Sequence, residues 1–273
     1  MFCCSQPQTS EFVEVTTAKE VATFYTASFA PNPQLVDLCI REKGMSITKK
    51  EVDILKAENR TPKMLAKNPA GQLPFVELAD GSVISDTIAI VEYLDELQPE
   101  PAMIGKTAVE RAKTRMWQRR MEEHFVYPTF TAFRFWTASD DADGSPFKGF
   151  FEGKAPVLLP KSWKGMQEWA LSRLLWLEEQ KKAGPSDFIC GASVTVVDFQ
   201  VYTTLKFFAV PGFGDFLKDH AAKLPWTCSF MERMKGLESV KASEEEIAKL
   251  PWTCSFMERM KGLESVKASE EEI

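Results

Sequence analysis

The sequence predicts an α/β domain followed by an all-helical one, and three observations carry that expectation. Short apolar runs rich in β-branched and aromatic residues alternate with helical patterns from residue 21 to residue 97, the order of a sheet with crossover helices. Beyond Gln98-Pro99-Glu100-Pro101 the strand signals fade and helical periodicity takes over. In the middle of the first unit, residues 68–87 (NPAGQLPFVELADGSVISDT) hold a turn, two short strands around the hairpin signal Asp80-Gly81, and a helix start.

Composition sets the class. A chain of 273 residues has room for one large or two ordinary domains, and its 44% hydrophobic content is that of a soluble globular protein. The net charge of −6 argues against a nucleic-acid partner. No apolar run approaches the roughly 18 residues of a membrane span, and the start, MFCCSQPQTSEF, lacks the basic and apolar parts of a secretory signal. The cysteines form no Cys-x-x-Cys pair, and with His124 and His220 they offer no zinc spacing and no redox dithiol. No metal and no membrane are expected, and the reducing cytoplasm is the expected compartment.

Residues 1–18 are polar and irregular and read as a disordered tail. Val21 to Tyr25 reads as a strand. Asn32 can cap a helix whose first position suits Pro33. Val36, Cys39 and Ile40 share a face of that helix, and Lys43-Gly44 closes it. Ser46 to Val52 reads as a second strand, parallel to the first after the helical crossover. Thr61-Pro62 opens a short helix to Lys67, the hairpin follows, and Asp86 or Thr87 starts a helix with Ile90, Val91, Leu94 and Leu97 on its apolar face. The order is β-α-β-α-β-β-α.

The second unit begins with a long helical stretch, Thr107 to Trp136, in which Pro128 marks a kink. Ala138 to Pro160 is loop-like. Lys161 to Lys182 is helical, with Met166, Trp169, Leu174 and Leu177 on one core-facing stripe. Thr195-Val196-Val197-Asp198 is a capping box with Asp in place of the usual Glu, ahead of the apolar run Phe199 to Val210.

Residues 222–247 recur without a single change at 248–273. Each copy draws an amphipathic helix, through Trp226, Phe230, Met234 and Leu237 in the first and Trp252, Phe256, Met260 and Leu263 in the second. Two identical helices cannot fill one groove, so one copy is expected to dock and the other to be a surplus helix, exposed or packed on another chain. Two copies do not make a solenoid. The duplication is either recent or an error of the gene model, which the transcript sequence decides.

Pro74 is the oddity of the central stretch, because proline cannot serve a ladder. A cis Leu73-Pro74 bond would turn the backbone groups of Leu73 outward, where an extended peptide can pair with them. Asp86 and Thr87 would bring a carboxylate, a hydroxyl and the free N–H groups of a helix start close by. That set suits a small peptide bearing both an amine and a carboxylate. The plainer alternative is a hairpin followed by a capped helix.

The APNP turn, the NPxGxLP strand start, the acidic helix start and the T-x-x-D box, in that order over residues 20–243, resemble the cytosolic glutathione S-transferase family. Spacing through RMWQRRMEEHFVYP and LLWLEEQ is similar to bacterial-type members. The resemblance implies a thioredoxin-like glutathione-binding domain over 19–98, a linker over 99–106, and an all-helical domain over 107–247 that shapes a pocket for a small apolar electrophile. It also implies glutathione as co-substrate and a homodimer. Leu73 would pair with the cysteinyl part of glutathione beside cis-Pro74, Gln72 would lie near its backbone, and Asp86 and Thr87 would hold the γ-glutamyl amine and carboxylate. Gln72 can also be read as a solvated turn residue, and Asp86 and Thr87 as caps.

Glutathione chemistry needs the thiolate. Lowering a thiol pKa of about 8.5–9 by two units takes about 2.7 kcal/mol of preferential stabilisation, within reach of one or two donors at a helix start. Where relatives carry a serine or threonine before Pro-Asn, this chain has Ala30, and Gln34 replaces a common arginine. Asn32 is the first candidate donor and Ser28 the second; no cysteine occurs from 26 to 34, against the disulfide-reducing branch. Phe29, Trp117, Met121, His124 and Phe125 are candidates for the electrophile wall, with ordinary packing as the alternative for each. A catalytically weak binding or scaffold module and a glutathione-dependent isomerase remain as other readings.

Overall fold

In the computed structural model, residues 20–250 are described. The first unit runs β1 (Val21–Thr26), α1 (Pro31–Glu42), β2 (Lys49–Glu51), α2 (Pro62–Lys67), β3 (Phe75–Leu78), β4 (Val83–Ser85) and α3 (Thr87–Leu97). The sheet has the order β2-β1-β3-β4. β1 pairs in parallel with β2 and antiparallel with β3, which pairs antiparallel with β4. This is the thioredoxin-like arrangement expected. The second strand is shorter than expected: only Lys49–Glu51 hold register with β1, with Thr48 O accepting from Phe24 N and Val52 N donating to Thr26 O, each at 2.8 Å, beyond its ends.

The start of α1 differs from the sequence reading. Ala30, extended at ψ 143°, takes the cap position, so that Pro31 and not Pro33 fills the first helical position. Asn32 is therefore the second helical residue rather than the cap. At the other end Gly44 turns at φ +63°, and Lys43 does more than face the helix dipole. Its ammonium is buried, pairs with Asp95 at 2.6 Å and donates to Gln98 O at 2.6 Å and Pro101 O at 2.9 Å. Asp95 also accepts from Met103 N and Ile104 N at 3.0 and 2.8 Å. The segment after α3 is thereby fastened to the first unit, and it holds a second cis bond, Glu100–Pro101, which the sequence reading did not anticipate.

The helical unit comprises α4 (Ala108–Met121), α5 (Tyr127–Thr137), α6 (Trp163–Ala183), α7 (Val196–Phe207), α8 (Phe216–His220), α9 (Pro225–Gly236) and α10 (Glu238–Ala248). The long helix expected over 107–136 breaks between α4 and α5 at a π-helical turn, Glu122–Val126, just before Pro128. Phe125, Leu174, Leu177, Val197 and Phe199 join β1 and α1 in one core, so α7 packs on α1. Trp169 departs from the expected stripe: it is 46% exposed and faces His124, ring centroids 6.0 Å apart.

The first copy of the repeat occupies the groove. Phe230, Met234 and Val240 are fully buried, each contributing about 1.5–3 kcal/mol by burial. Glu178, buried in α6, accepts from Trp226 N, Thr227 N and Thr227 Oγ1 at 3.0, 2.7 and 2.6 Å. From α10, Glu246 pairs with Arg41 and Lys49, and Ser243 donates to Asp37 at 3.0 Å, tying the C-terminal helix to the first unit. The expected tail, 1–18, and the second copy from residue 251 onward lie outside the described residues.

The capping box forms with Asp198 fully buried. Its carboxylate accepts from Ile189 N, Thr195 N and Thr195 Oγ1 at 2.7, 2.8 and 2.8 Å. Burial outweighs these donors and pushes the carboxyl up to about 6. A folded-state value above the unfolded one means that the native form binds the proton more tightly. The group's contribution is thus fully present below about pH 4 and lost as pH rises through about 6, a fall of roughly 2–3 kcal/mol. Thermal unfolding of the wild type against Asp198→Asn should show this difference in slope between those pH values, and parallel curves would exclude it.

Candidate functional site

Three segments leave the sheet at the same end. Continuing the registers Tyr25↔Phe75 and Phe75↔Ser85 brings Leu73-Pro74 beside the β1–α1 loop on one side and Asp86-Thr87 on the other. The Leu73–Pro74 bond is cis. Neither the N–H nor the C=O of Leu73 has a hydrogen-bond partner among the described residues, so this edge is open to an added peptide. Gln72 is exposed, and its carbonyl accepts from Asn68 Nδ2 at 2.8 Å.

Asp86 holds the cap position of α3 at φ +82°, a conformation that costs a residue with a side chain about 1–3 kcal/mol. Its carboxylate makes no capping bond. The capping alternative therefore does not account for this aspartate, which is exposed. Thr87 follows, half-buried, and the first N–H groups of α3 lie beside it.

On the other side, the first turn of α1 is poor in donors. Pro31 and Pro33 have no N–H, and Gln34 N–H bonds back to Ala30 O at 3.0 Å. Asn32 N–H is the one backbone donor of that turn left unbonded among the described residues, and the Asn32 amide makes no hydrogen bond there either. One half-buried residue thus presents both available donors. Ser28 is engaged elsewhere: its hydroxyl donates to Glu51 Oε1 and its N–H to Glu51 Oε2 at 3.3 Å. Burial holds the Glu51 carboxyl above its usual value in spite of these bonds.

Next to this loop an open hollow of about 130 Å³ is lined by Phe29 and residues of 51–58, including Glu51, Asp53 and Glu58. Three carboxylates make it unsuited to an anion. The described cysteines offer no nucleophile: burial holds Cys39, Cys190 and Cys228 above the ordinary thiol value, Cys190 at about 12. No group of three His, Cys, Asp or Glu side chains among the described residues is placed to hold a metal.

Of the five candidates for an apolar wall, Met121 and Phe125 are fully buried in the core, and Trp117 packs on Trp176 at 5.5 Å between α4 and α6. The stripe that carries them is turned into the core, with α4 packed on α7 and the π-helical turn on α6, which sequence periodicity cannot distinguish from a face turned to a cleft. His124 is partly exposed beside Glu123. Phe29 keeps its place, 6.3 Å from Phe207 of α7.

Sequence reasoning missed Tyr127, Phe207 and Glu51. Tyr127 is exposed at the start of α5; burial, then the carboxylates of Glu122 and Asp86, hold its phenol above the usual value. Asp86 thus lies within electrostatic reach of the start of α5. Only the Tyr127-Pro128 helix start could have signalled it.

Comparison with known proteins fits this geometry. The model of the glutathione S-transferase N-terminal domain matches residues 24–102, and that of the C-terminal domain matches residues 164–246, together more than half of the chain. The chain is 33% identical to "Glutathione S-transferase 2" of Saccharomyces cerevisiae over 117 residues, 42% of this chain and only half of that relative's length. A solved glutathione S-transferase domain-containing protein from Marinobacter aquaeolei is 26% identical, with a TM-score of 0.68, over 80% of this chain and 99% of that one. A glutathione transferase homolog from Sulfitobacter, solved with bound glutathione, shares the fold at 18% identity and a TM-score of 0.61, over 82% and 97%. Both of the family's domains are present, in order, on the architecture they require: the chain belongs to the glutathione S-transferase family.

Proposed function

We propose that the chain is a glutathione transferase that activates the thiol of glutathione for attack on a small apolar electrophile, with residues 99–106 joining its two domains. The observation that carries the reading is the unpaired backbone of Leu73 at a sheet end shared with the uncapped carboxylate of Asp86. Leu73 would take the cysteinyl peptide group as an added strand, and Asp86 and Thr87 the γ-glutamyl head, with Gln72 alongside. The glutathione held by the Sulfitobacter relative supports the same co-substrate here. Homodimer formation and a cytoplasmic setting belong to the reading as family expectations.

The thiol would then lie at the start of α1, where Asn32 N–H and the Asn32 amide are its nearest unbonded donors. Both favour the thiolate, and the released proton passes to solvent. With an aryl chloride, the sulfur attacks the ring carbon, a C–S bond forms and chloride leaves. No group needs to be oxidised or reduced.

Asn32→Ala removes the amide and keeps the backbone donor. The expected result is a rise of about one unit in the pKa of bound glutathione and about a tenfold fall in kcat/KM below that pKa, read from a pH–rate profile with a chlorodinitrobenzene. An unchanged profile excludes the amide as thiolate donor. A second reading, a binding module of low activity, is favoured by the engagement of the Ser28 hydroxyl with Glu51 and the absence of a hydroxyl at Ala30. Retention on immobilised glutathione without conjugation would select it.

A further inference from the structure

The groove that holds α9 and α10 reads its occupant residue by residue. α9 packs on α6 and α7, and α10 packs on α1. Leu224, Phe230, Met234 and Val240 are fully buried there. The buried carboxylate of Glu178 fixes the start of α9 by accepting from Trp226 N–H, Thr227 N–H and the Thr227 hydroxyl. At the far end, Asp37 accepts from the Ser243 hydroxyl at 3.0 Å, and Lys49 pairs with Glu246 at 3.1 Å. These contacts set both the direction of the occupant and its position along the groove.

Every group the groove reads occurs a second time. Residues 248–273 repeat 222–247 without change, so Leu250, Thr253, Phe256, Met260, Ser269 and Glu272 stand at the same spacings. Identical side chains at identical spacings gain the same contacts, and the energy of docking does not distinguish the copies. Only the connection does. When 248–273 fills the groove, Ala248 takes the place of Ala222 directly after Ala221, and residues 222–247 become a loop whose ends meet. Closing a loop disfavours that register by a factor that grows as the 3/2 power of its length, about a hundredfold for these 26 residues. The tether holds the second copy near its own groove at about millimolar effective concentration, which favours that groove over another chain's in dilute solution.

We propose that the two copies are alternative occupants of one groove within one chain, exchanging at about a hundred to one in favour of 222–247. The second copy is thus a spare docking element, which takes over when the first is damaged. The proposal does not depend on the transferase reading.

The test uses full-length chains and a carbodiimide, which joins Lys49 to the glutamate paired with it. After trypsin the first copy yields residues 242–249 and the second 268–273, which differ in mass in spite of the repeat. In wild type the share of links to 268–273 is expected to be about 1%. Thr227→Val removes one donor to Glu178 from the first copy alone and is expected to raise that share about tenfold. Phe230→Asp is expected to make it the major product, and adding Phe256→Asp to abolish the gain. An equal share in wild type, Thr227→Val and Phe230→Asp overturns the proposal. Links between heavy and light chains in an isotopically mixed sample would place the second copy in another chain's groove, which also overturns it.

Unfolding gives a second readout. Phe230→Asp is expected to lower the folding equilibrium constant by no more than about a hundredfold, because the second copy takes over, and Phe230→Asp with Phe256→Asp to lower it at least about tenfold further. Equal losses overturn the exchange. Should Phe230→Asp fail to fold, Thr227→Val still decides, since it takes only one hydrogen bond from the first copy.

Discussion

Replacing Asp198 with alanine is expected to lower stability at neutral pH by about 3–5 kcal/mol. The carboxylate is fully buried and is the acceptor for three donors within 2.8 Å: Ile189 N, Thr195 N and Thr195 Oγ1. Alanine leaves all three facing a dry void, each losing about 1–3 kcal/mol of satisfaction. It also removes the box that fixes the start of α7, the helix that packs on α1 and joins the two domains. For a chain of this size the loss corresponds to roughly 10 °C in thermal midpoint, measured by calorimetry or circular dichroism. A shift under about 3 °C would mean that the loop before α7 finds other acceptors.

The second large effect is on binding. Asp86→Asn keeps the shape of the side chain and removes its charge, and the KM for glutathione is expected to rise about tenfold to a hundredfold. A charge-assisted hydrogen bond to an ammonium contributes about 1.5–3 kcal/mol. At saturating glutathione kcat should change little, because Asp86 is assigned to the γ-glutamyl head and not to the sulfur. A structural role predicts the opposite pattern, a lower thermal midpoint and an unchanged KM. Asp86→Gly sharpens the contrast: at φ +82° glycine is free of the strain that aspartate bears. That variant should fold at least as well as wild type while binding glutathione weakly. Loss of fold with intact binding would remove Asp86 from the site.

Both effects trace to residues that the sequence picked out, for different reasons. Thr195 and Asp198 are three positions apart on a helix start, a local relation that a linear reading captures. Leu73-Pro74 and Asp86 are also local signals, each a rule broken within a few residues. The shape of the first domain was legible because every element carried its own start and stop, as in Thr61-Pro62 and Lys43-Gly44.

Other features were not legible, and the reason is the same in each case. Periodicity tells which residues of a helix share a face but not what that face meets. Met121 and Phe125 read as cleft residues and are core, because α4 packs on α7 and the π-helical turn on α6. Trp169 read as core and is exposed. Asn32 read as a cap and is the second helical residue, since Pro31 competes for the first position. The partnership of Ser28 with Glu51 spans 23 residues, and that of Lys43 with Pro101 spans 58; no local signal encodes either.

By itself, then, the sequence determined the order of the elements, the family and the open peptide edge at Leu73, because each depends on contacts within a turn or a hairpin. Tertiary structure decided which donor at the head of α1 stays unbonded, that the Ser28 hydroxyl is engaged by Glu51, and which rings of α5 and α7 are core. These depend on how the sheet end, α5 and α7 approach one another. That approach is set by burial of the shared core, summed over residues far apart in the chain.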